Sequence, residues 1–140
     1  MWVATNEGWI SVVKRHSSDE LLVRARSENH LLCVLIRLRP EHVKADVDKD
    51  RIFIDPDADY PYRMYVTKEE FKRYMNRQID YIDYGNFKAS VPDKTYARAL
   101  NDVWFTMYQW GMAHRPVYEY TTLDDYGMVY DNERIAYEEE

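Results

Sequence analysis

Cysteine, glycine and proline are scarce in this 140-residue sequence, with one, four and five residues respectively. The single cysteine, Cys33, rules out a disulfide framework, and its apolar neighbours favour a buried thiol over a reactive one. The four glycines lie too far apart to form a glycine-rich phosphate loop. No apolar run reaches the ~20 residues of a membrane span, and the first residues do not resemble a signal peptide. We therefore expect a cytoplasmic protein with no membrane association.

Metal-binding and catalytic patterns are also missing. The four histidines, at positions 16, 30, 42 and 114, have no paired spacing. Two aspartate triplets, starting at Asp46 and Asp55, have the alternate-acid spacing that begins a calcium loop. Both triplets lack the glycine at the sixth loop position and the glutamate at the twelfth. We predict no metal, no cofactor and no enzymatic activity.

The stretch from Asp59 to Val91 carries the clearest fold signals. Residues 62–66 alternate apolar and polar side chains, which is typical of a strand with one buried face. Thr67 and Glu70 form the capping-box pattern, so a helix is expected to begin directly after that strand. Gly85, in the turn after this helix, is expected to adopt a positive φ.

The rest of the chain completes an α+β pattern. Strands are predicted at 2–5, 9–14, 21–26 and 51–54, and helices at 28–38 and from Pro92 to a C-cap at Gly111. The expected fold class is α+β: one domain over residues 1–115, with an antiparallel sheet of four or five strands and two or three helices on one face, in the order β-β-β-α-β-β-α-α. Helical spacing places five residues in the core: Tyr74, Ile79, Leu100, Trp104 and Met107.

The segment 116–140 differs in composition, and we assign it as an acidic, tyrosine-rich tail. It holds eight acidic residues and one basic residue, a net charge of −7, which leaves residues 1–115 at +1. Tyrosine is common at protein interfaces, so this tail is the predicted partner-binding surface. The candidate residues are Tyr118, Tyr120, Asp124, Asp125, Tyr126, Tyr130, Asp131 and Glu133. The alternative is a tail that folds back on the chain's own basic surface or stays mobile.

Arginine and tyrosine on an open sheet suggest a second kind of site. Arg24 and Arg26 share one face of a strand, and Arg63 and Tyr65 share one face of a later strand. If the two strands are neighbours, these four residues form a surface of the kind that binds single-stranded nucleic acid. The net charge of −6 opposes that interpretation, because it repels a phosphate backbone.

Three stretches carry a resemblance to known proteins. The segments 21–26 (LLVRAR), 59–63 (DYPYR) and 82–88 (IDYGNFK), with Val103 and Trp104 later, resemble a family of small bacterial and phage proteins. The resemblance covers residues 1 to about 110. It implies a compact α+β domain in a bacterial host cell, and it brings no activity or catalytic residues with it.

These observations together predict a non-enzymatic protein-interaction module. By analogy of size and charge with small acidic phage proteins, we predict an inhibitor of a host defence system, such as an anti-CRISPR protein. The expected partner is a protein, and a basic nucleic-acid-binding complex is one such partner. Direct binding of single-stranded nucleic acid through Arg24, Arg26, Arg63 and Tyr65 is the alternative.

Overall fold

A computed structural model describes residues 1–40 and 46–116 of the chain. Its strands are β1 (Trp2–Thr5), β2 (Gly8–Lys14), β3 (Leu21–Ala25), β4 (Phe53–Ile54) and β5 (Tyr62–Val66). Its helices are α1 (Glu28–Leu38), α2 (Lys68–Asp80) and α3 (Lys94–Ala113), with short 3-10 turns at Lys49–Arg51 and Lys88–Ser90. The predicted α+β class and element order are confirmed.

The five strands form one antiparallel sheet in the order β1-β2-β3-β5-β4. The β1–β2 hairpin closes tightly, with Thr5 opposite Gly8. At the centre of the sheet β3 pairs with β5, so that Leu21 faces Val66 and Ala25 faces Tyr62. The short strand β4 pairs with β5 as the predicted hairpin. The predicted surface of Arg24, Arg26, Arg63 and Tyr65 required the two strands that carry these residues to be neighbours. β3 and β5 are neighbours, so this requirement is met.

The core lies between one sheet face and α1. Alternate residues of β2, β3 and β5 point into it, and α1 and α2 contribute one side each. Its buried members are Ile10, Val12, Val23, Ala25, Leu31, Val34, Leu35, Leu38, Met64, Val66, Phe71 and Tyr74. The helix α1 contacts β2, β3, β5 and α2. α1 therefore packs between the sheet and α2 and needs apolar residues on more than one side.

Polar contacts fix the start of α2 and the end of α1. The Thr67 hydroxyl accepts a hydrogen bond from the Glu70 backbone N–H, and the Glu70 carboxylate accepts one from the Thr67 N–H, so the predicted capping box is present. Arg73 of α2 donates to the Leu38 carbonyl at 2.9 Å, and Arg77 donates to the Arg37 carbonyl at 3.2 Å. The last carbonyl groups of α1 have no hydrogen-bond partner within the helix. The two arginines satisfy these carbonyls, and their positive charge complements the helix dipole.

Several local predictions were wrong. Ile79, Trp104 and Met107, predicted in the core, are exposed, whereas Tyr74 and Leu100 are buried. Gly111 does not end a helix, because α3 continues to Ala113. Gly85 does not lie in the positive-φ region.

The chain divides into two compact units, Met1–Arg98 and Ala99–Glu140, and the boundary falls inside α3. The first unit contains the whole sheet, α1, α2 and the first turn of α3. The second contains the remainder of α3. The predicted division at residue 115 stays a prediction.

Candidate docking surface on the third helix

The start of α3 is fixed by an aspartate cap. The carboxylate of Asp93 accepts hydrogen bonds from the Thr95 hydroxyl at 2.7 Å and from the backbone N–H groups of Thr95 and Tyr96 at 2.9 and 3.1 Å. These bonds lower the pKa of Asp93 from its usual value, because each favours the ionised carboxylate. The cap satisfies N–H groups that have no partner within the helix.

The first turn of α3 is anchored to the sheet unit by Tyr96. Its hydroxyl donates to the Thr5 carbonyl at 2.9 Å, and its ring contacts the His30 ring at a centroid distance of 4.7 Å. Burial raises the pKa of Tyr96, so the hydroxyl stays protonated and keeps donating at physiological pH. This contact gives α3 a defined starting point.

Beyond the first turns, α3 presents a broad apolar surface to solvent. Seven large apolar side chains between residues 103 and 112 are each 40–59% exposed. We call them the apolar face of α3: Val103, Trp104, Phe105, Met107, Tyr108, Trp110 and Met112. At about 100° per residue they cover more than half of the helix circumference. The remaining stripe holds Asp102, Thr106, Gln109 and Ala113, spaced for one side of a helix.

Aromatic contacts along the helix organise this apolar face. The rings of Trp104 and Tyr108, one turn apart, stack with centroids 5.4 Å apart and planes 20° apart. The rings of Trp110 and His114 stack at 4.1 Å, and His114 Nδ1 lies 2.8 Å from the Trp110 carbonyl oxygen. Gly111 interrupts the surface, because it has no side chain and a Cβ there would meet no heavy atom within 4 Å apart from its chain neighbours and the adjacent helix backbone. The apolar face therefore has ridges of stacked rings beside a gap.

Charge is nearly absent from this part of α3. Between Ala99 and Ala113 the only charged residue is Asp102, on the polar stripe. A helix that lies on a membrane surface usually carries Lys and Arg on its polar side, and a helix that binds nucleic acid needs basic groups for the phosphates. This segment has neither. Its chemistry suits an apolar protein surface.

The structure brings the four residues of the predicted nucleic-acid site to one sheet face. Arg24 and Arg63 are directly opposite each other in the β3–β5 register, and Tyr65 lies opposite Leu22 on the same face. Arg26 follows β3 at the edge of this surface. Their proximity agrees with the alternation seen in the sequence.

Each of these arginines is engaged within the chain. Arg26 forms two short hydrogen bonds to Asp59, at 2.8 and 3.0 Å, which raise its pKa. Arg63 donates to the Tyr60 carbonyl at 3.0 Å and pairs with Asp55 at 3.6 Å. Arg24 donates to the Ser11 hydroxyl at 2.8 Å, and its guanidinium lies 4.9 Å from the Tyr60 ring centre. Phosphate binding at this face therefore competes with bonds already formed.

Tyr65 also has neighbours over its ring. The Arg15 guanidinium lies 4.1 Å from the ring centre, and the Phe53 ring lies 5.4 Å away. A base stacking on Tyr65 would have to displace one of them. The predicted partner-binding residues of the tail, from Tyr118 to Glu133, lie outside the described residues.

Glu7 lies at the centre of a polar cluster of interacting side chains. Burial tends to raise the pKa of Glu7, but hydrogen bonds from Arg37 at 2.7 Å and Gln78 at 3.0 Å outweigh it and lower the pKa. Arg37 also contacts the Tyr81 ring. Burial raises the pKa of nearby Cys33, which disfavours the nucleophilic thiolate. This cluster joins the β1–β2 turn to α1 through the Glu7–Arg37 ion pair and to α2 through the Gln78 hydrogen bond, and it contains no activated nucleophile.

The chain matches no family model, no curated protein and no solved structure. Among the described helices, none combines the length and the hydropathy needed to cross a bilayer. In residues 1–40 and 46–116, no cluster of His, Cys, Asp and Glu side chains is suited to hold a metal ion.

Helical spacing places Trp104 and Met107 in the core, so the sequence does not indicate an exposed apolar face on α3. Val103, Trp104, Met107 and Tyr108 have the spacing of a core-facing side. Phe105, Trp110 and Met112 distinguish an exposed apolar face from a core-facing side, because they lie outside the stripe that those four residues form. A helix that is apolar on several sides needs more than one covering surface. α1 has such surfaces in the sheet and α2, and the residue pattern of α3 requires the same.

Proposed function

We propose that the protein is a non-enzymatic protein-interaction module that binds a partner through the apolar face of α3. The observation that carries the proposal is the exposure of seven large apolar side chains on one capped and anchored helix. Exposed apolar surfaces of this extent mark interaction sites in folded proteins. Tryptophan and tyrosine, which contribute three of the seven, are the residue types most enriched among binding hot spots.

Protein is favoured over the other partner classes by charge. The helix lacks the basic residues that membrane surfaces and phosphate backbones require. An apolar helix that presents anchors at i, i+3, i+4 and i+7 is a recurring mode of protein recognition. Val103, Met107 and Trp110 supply anchors at i, i+4 and i+7.

The acidic tail adds an electrostatic component to this proposal. Its net charge of −7 would attract a basic partner and raise the encounter rate. A basic nucleic-acid-binding complex of a bacterial host is the proposed target, and inhibition of a defence system in the anti-CRISPR manner is the proposed consequence. This narrower proposal is supported by small size, by acidic charge and by the resemblance of three sequence stretches to small bacterial and phage proteins.

The proposal is tested with two matched double variants of the full chain. Trp104→Ala with Trp110→Ala removes anchors from the apolar face, and Thr106→Ala with Gln109→Ala changes the polar stripe. Each tagged variant is used to capture proteins from a bacterial extract that also contains an untagged copy of the chain. Quantitative mass spectrometry identifies what is retained, and a purified candidate is then titrated.

We expect the apolar-face variant to weaken binding of the specific partner at least about 30-fold, the scale of a hot-spot loss. The polar-stripe variant should bind like the unmodified chain. Equal binding by all three proteins, with the helical circular dichroism unchanged, contradicts the proposal.

A further inference from the structure

We propose that the edge strand β1 binds the β1 strand of a second copy of this chain. The two strands pair antiparallel about a two-fold axis at Val3, and two five-stranded sheets become one continuous sheet. This inference goes beyond the proposed function, because it concerns the edge of the sheet and not the apolar face of α3. It is carried by the outward backbone groups of β1, by its uncharged sequence and by the fit of Trp2 against Ala4.

Trp2 and Ala4 direct their backbone polar groups away from the sheet. Met1 and Val12 exchange two hydrogen bonds of 2.8 Å, one from each backbone nitrogen to the other's carbonyl oxygen. Since such pairs alternate with non-hydrogen-bonded pairs along an antiparallel ladder, Val3 is the next residue of β1 that bonds β2. The N–H and C=O groups of Trp2 and Ala4 therefore face outward, where β1 has no neighbouring strand among the described residues.

The sequence of β1 leaves this edge unprotected. Edge strands are usually protected from pairing by charged side chains, proline, a bulge or very short length. β4, at the opposite edge, has two residues and is followed by Asp55 and Pro56. β1 has four residues, contains neither a charged side chain nor proline, and pairs with β2 without a bulge. Of the two edges, β1 is therefore the one suited to a further strand.

A second β1 strand fits this edge best in one register. With Val3 opposite Val3 of the other copy, Trp2 of each copy lies opposite Ala4 of the other. Each of these two pairs exchanges two hydrogen bonds, so the outward N–H and C=O groups of Trp2 and Ala4 are all used in both copies. A pair centred on Trp2 or on Ala4 would leave half of these groups without a partner in β1. The axis is therefore placed at Val3.

The side chains fit in the same register. Trp2, Ala4 and Trp9 lie on the open face of the sheet, since Ala4 is opposite Trp9 and the next residue, Ile10, is in the core. Trp2 is 69% exposed, and its ring lies 5.8 Å from that of Trp9. In the pair each Trp2 indole lies beside the small Ala4 side chain of the other copy, with Trp9 of that copy as the next neighbour. Four indoles thus surround two alanines.

The contact is uncharged but small. The side chains from Met1 to Thr5 carry no charge, although each copy has a net charge of −6. Two strands of this length and two partly covered indoles bury less than about 1,200 Å², the lower limit of standard specific interfaces. We expect a dissociation constant on the order of 10–100 µM. Added salt should lower it, because salt screens the repulsion between the two net charges.

Sedimentation equilibrium of the full chain without an N-terminal tag, from about 5 to 500 µM, tests the association. Ala4→Pro removes an outward N–H from each copy and should raise the dissociation constant at least about 30-fold. It removes no bond to β2, because that N–H faces outward, and proline is tolerated at such edge positions. The matched control, Ala4→Ser, keeps the N–H and a small side chain. It should leave the constant within about threefold.

Trp2→Ala tests the side-chain contact and decides the question if Ala4→Pro does not fold. Trp2 is largely exposed in the single chain, so its removal should leave the far-ultraviolet circular dichroism and the urea midpoint nearly unchanged. The dissociation constant should rise at least about tenfold, because the indole is lost on both sides of the axis. A dimer of unchanged strength in this variant overturns the inference.

Disulfide formation in a Cys33→Ser background tests the register. Val3 faces Val3 of the other copy in a non-hydrogen-bonded pair with Cα atoms about 4.5 Å apart, a separation that a disulfide can span. Val3→Cys should therefore form an intermolecular disulfide under mild oxidation. The control, Val13→Cys, lies on β2 away from the axis and should cross-link far more slowly. Equal rates overturn the inference.

A chain that remains monomeric at 500 µM overturns the inference, and so does a dimer that Ala4→Pro and Ala4→Ser weaken equally. Trp104→Ala with Trp110→Ala separates this inference from the proposed function. That double variant should lose the captured partner and still dimerise. Loss of the dimer would assign self-association to α3 and overturn the inference, whereas unchanged capture would contradict only the proposed function.

Discussion

At the residue scale, Gly8 lies directly against the ring of His30. A Cβ on Gly8 would lie 2.6 Å from His30 Cγ, a distance that side chains do not tolerate. The His30 ring is in turn held by Tyr96 on one side and by the Trp9 backbone N–H, which donates to Nδ1 at 3.3 Å. Gly8 thus permits the packing that joins β2, α1 and the start of α3.

We expect Gly8→Ala to lower the free energy of unfolding by about 1–3 kcal/mol, the usual cost of inserting a methyl group into a packed site. Gly85→Ala is the matched control. No heavy atom outside its two chain neighbours lies within 4 Å of its Cβ position and its φ is not in the positive region, so the substitution should be neutral or stabilise by up to ~1 kcal/mol. Urea denaturation measures both, and equal effects would contradict this account.

His30 also makes stability depend on pH. Burial lowers its pKa, although the hydrogen bond at Trp9 and the charge of Asp93 act in the opposite direction. A folded-state pKa below the unfolded value of 6.5 means that the unfolded chain binds the proton more tightly. The contribution of neutral His30 is therefore complete above about pH 6.5 and is lost as pH falls through the folded pKa.

We expect the melting temperature to fall between about pH 7 and pH 5, above the range in which carboxylates titrate. His30→Gln removes the titrating group and should flatten the profile in this window, even if the variant is less stable throughout. Thermal denaturation at half-unit pH steps makes the comparison. An unchanged slope in the variant would assign the pH dependence to other groups.

At the element scale, the N-caps of α1 and α2 differ in a way that can be measured. Thr67 at the start of α2 has a complete capping box, and its partner Glu70 is further held by Arg51 at 2.9 Å. Ser27 at the start of α1 makes no side-chain capping bond. Thr67→Ala should cost about 1 kcal/mol of stability. Ser27→Ala should cost only a few tenths, and chemical denaturation of the pair tests this difference.

Local patterns were enough to predict most elements. The alternation of residues 62–66, the Thr67–Glu70 pair and the short loop before Gly8 each determine a strand, a helix start or a hairpin through neighbouring residues alone. The element order and the α+β class follow from these signals. Arg24 and Arg63 were likewise brought to one face as the alternation implied.

Burial could not be predicted in the same way, because it depends on what covers a surface. Trp104 has the spacing of a core residue and is 47% exposed, and Ile79 near the end of α2 is exposed too. Periodicity shows that a helix has an apolar side, but it does not show whether the chain itself supplies the other half of the contact. The ion pairs of Arg26 with Asp59 and of Arg63 with Asp55 also depend on loop positions that no periodic pattern specifies.

At the scale of the whole molecule, the acidic tail and the arginine face predict opposite responses to charge changes. Replacing Asp124, Asp125, Asp131 and Glu133 with their amides should slow association with a basic partner, most strongly at low salt. Surface plasmon resonance at two salt concentrations with the captured partner measures the rate.

The nucleic-acid alternative gives the reverse result. If the sheet face binds single strands, the same four amides should tighten binding by removing repulsion, and Arg24→Ala with Arg26→Ala should abolish it and reduce the salt dependence. Fluorescence anisotropy with a labelled oligonucleotide measures whether the sheet face binds single strands. Because Arg26 and Arg63 are already paired with Asp59 and Asp55, we expect no measurable binding at physiological salt.

The hydrogen bond from the Tyr96 hydroxyl to the Thr5 carbonyl affects the order in which parts of the fold form. It closes a loop of 91 residues, so the first strand receives this partner only after most of the chain has been synthesised. Contacts across such long loops tend to form after the transition state of folding. Tyr96→Phe should then leave the refolding rate nearly unchanged and speed unfolding several-fold, as stopped-flow kinetics can show. During synthesis, the β1–β2 hairpin is therefore made before α3, and the hydrogen bond that stabilises this end of the sheet forms only once the start of α3 is present.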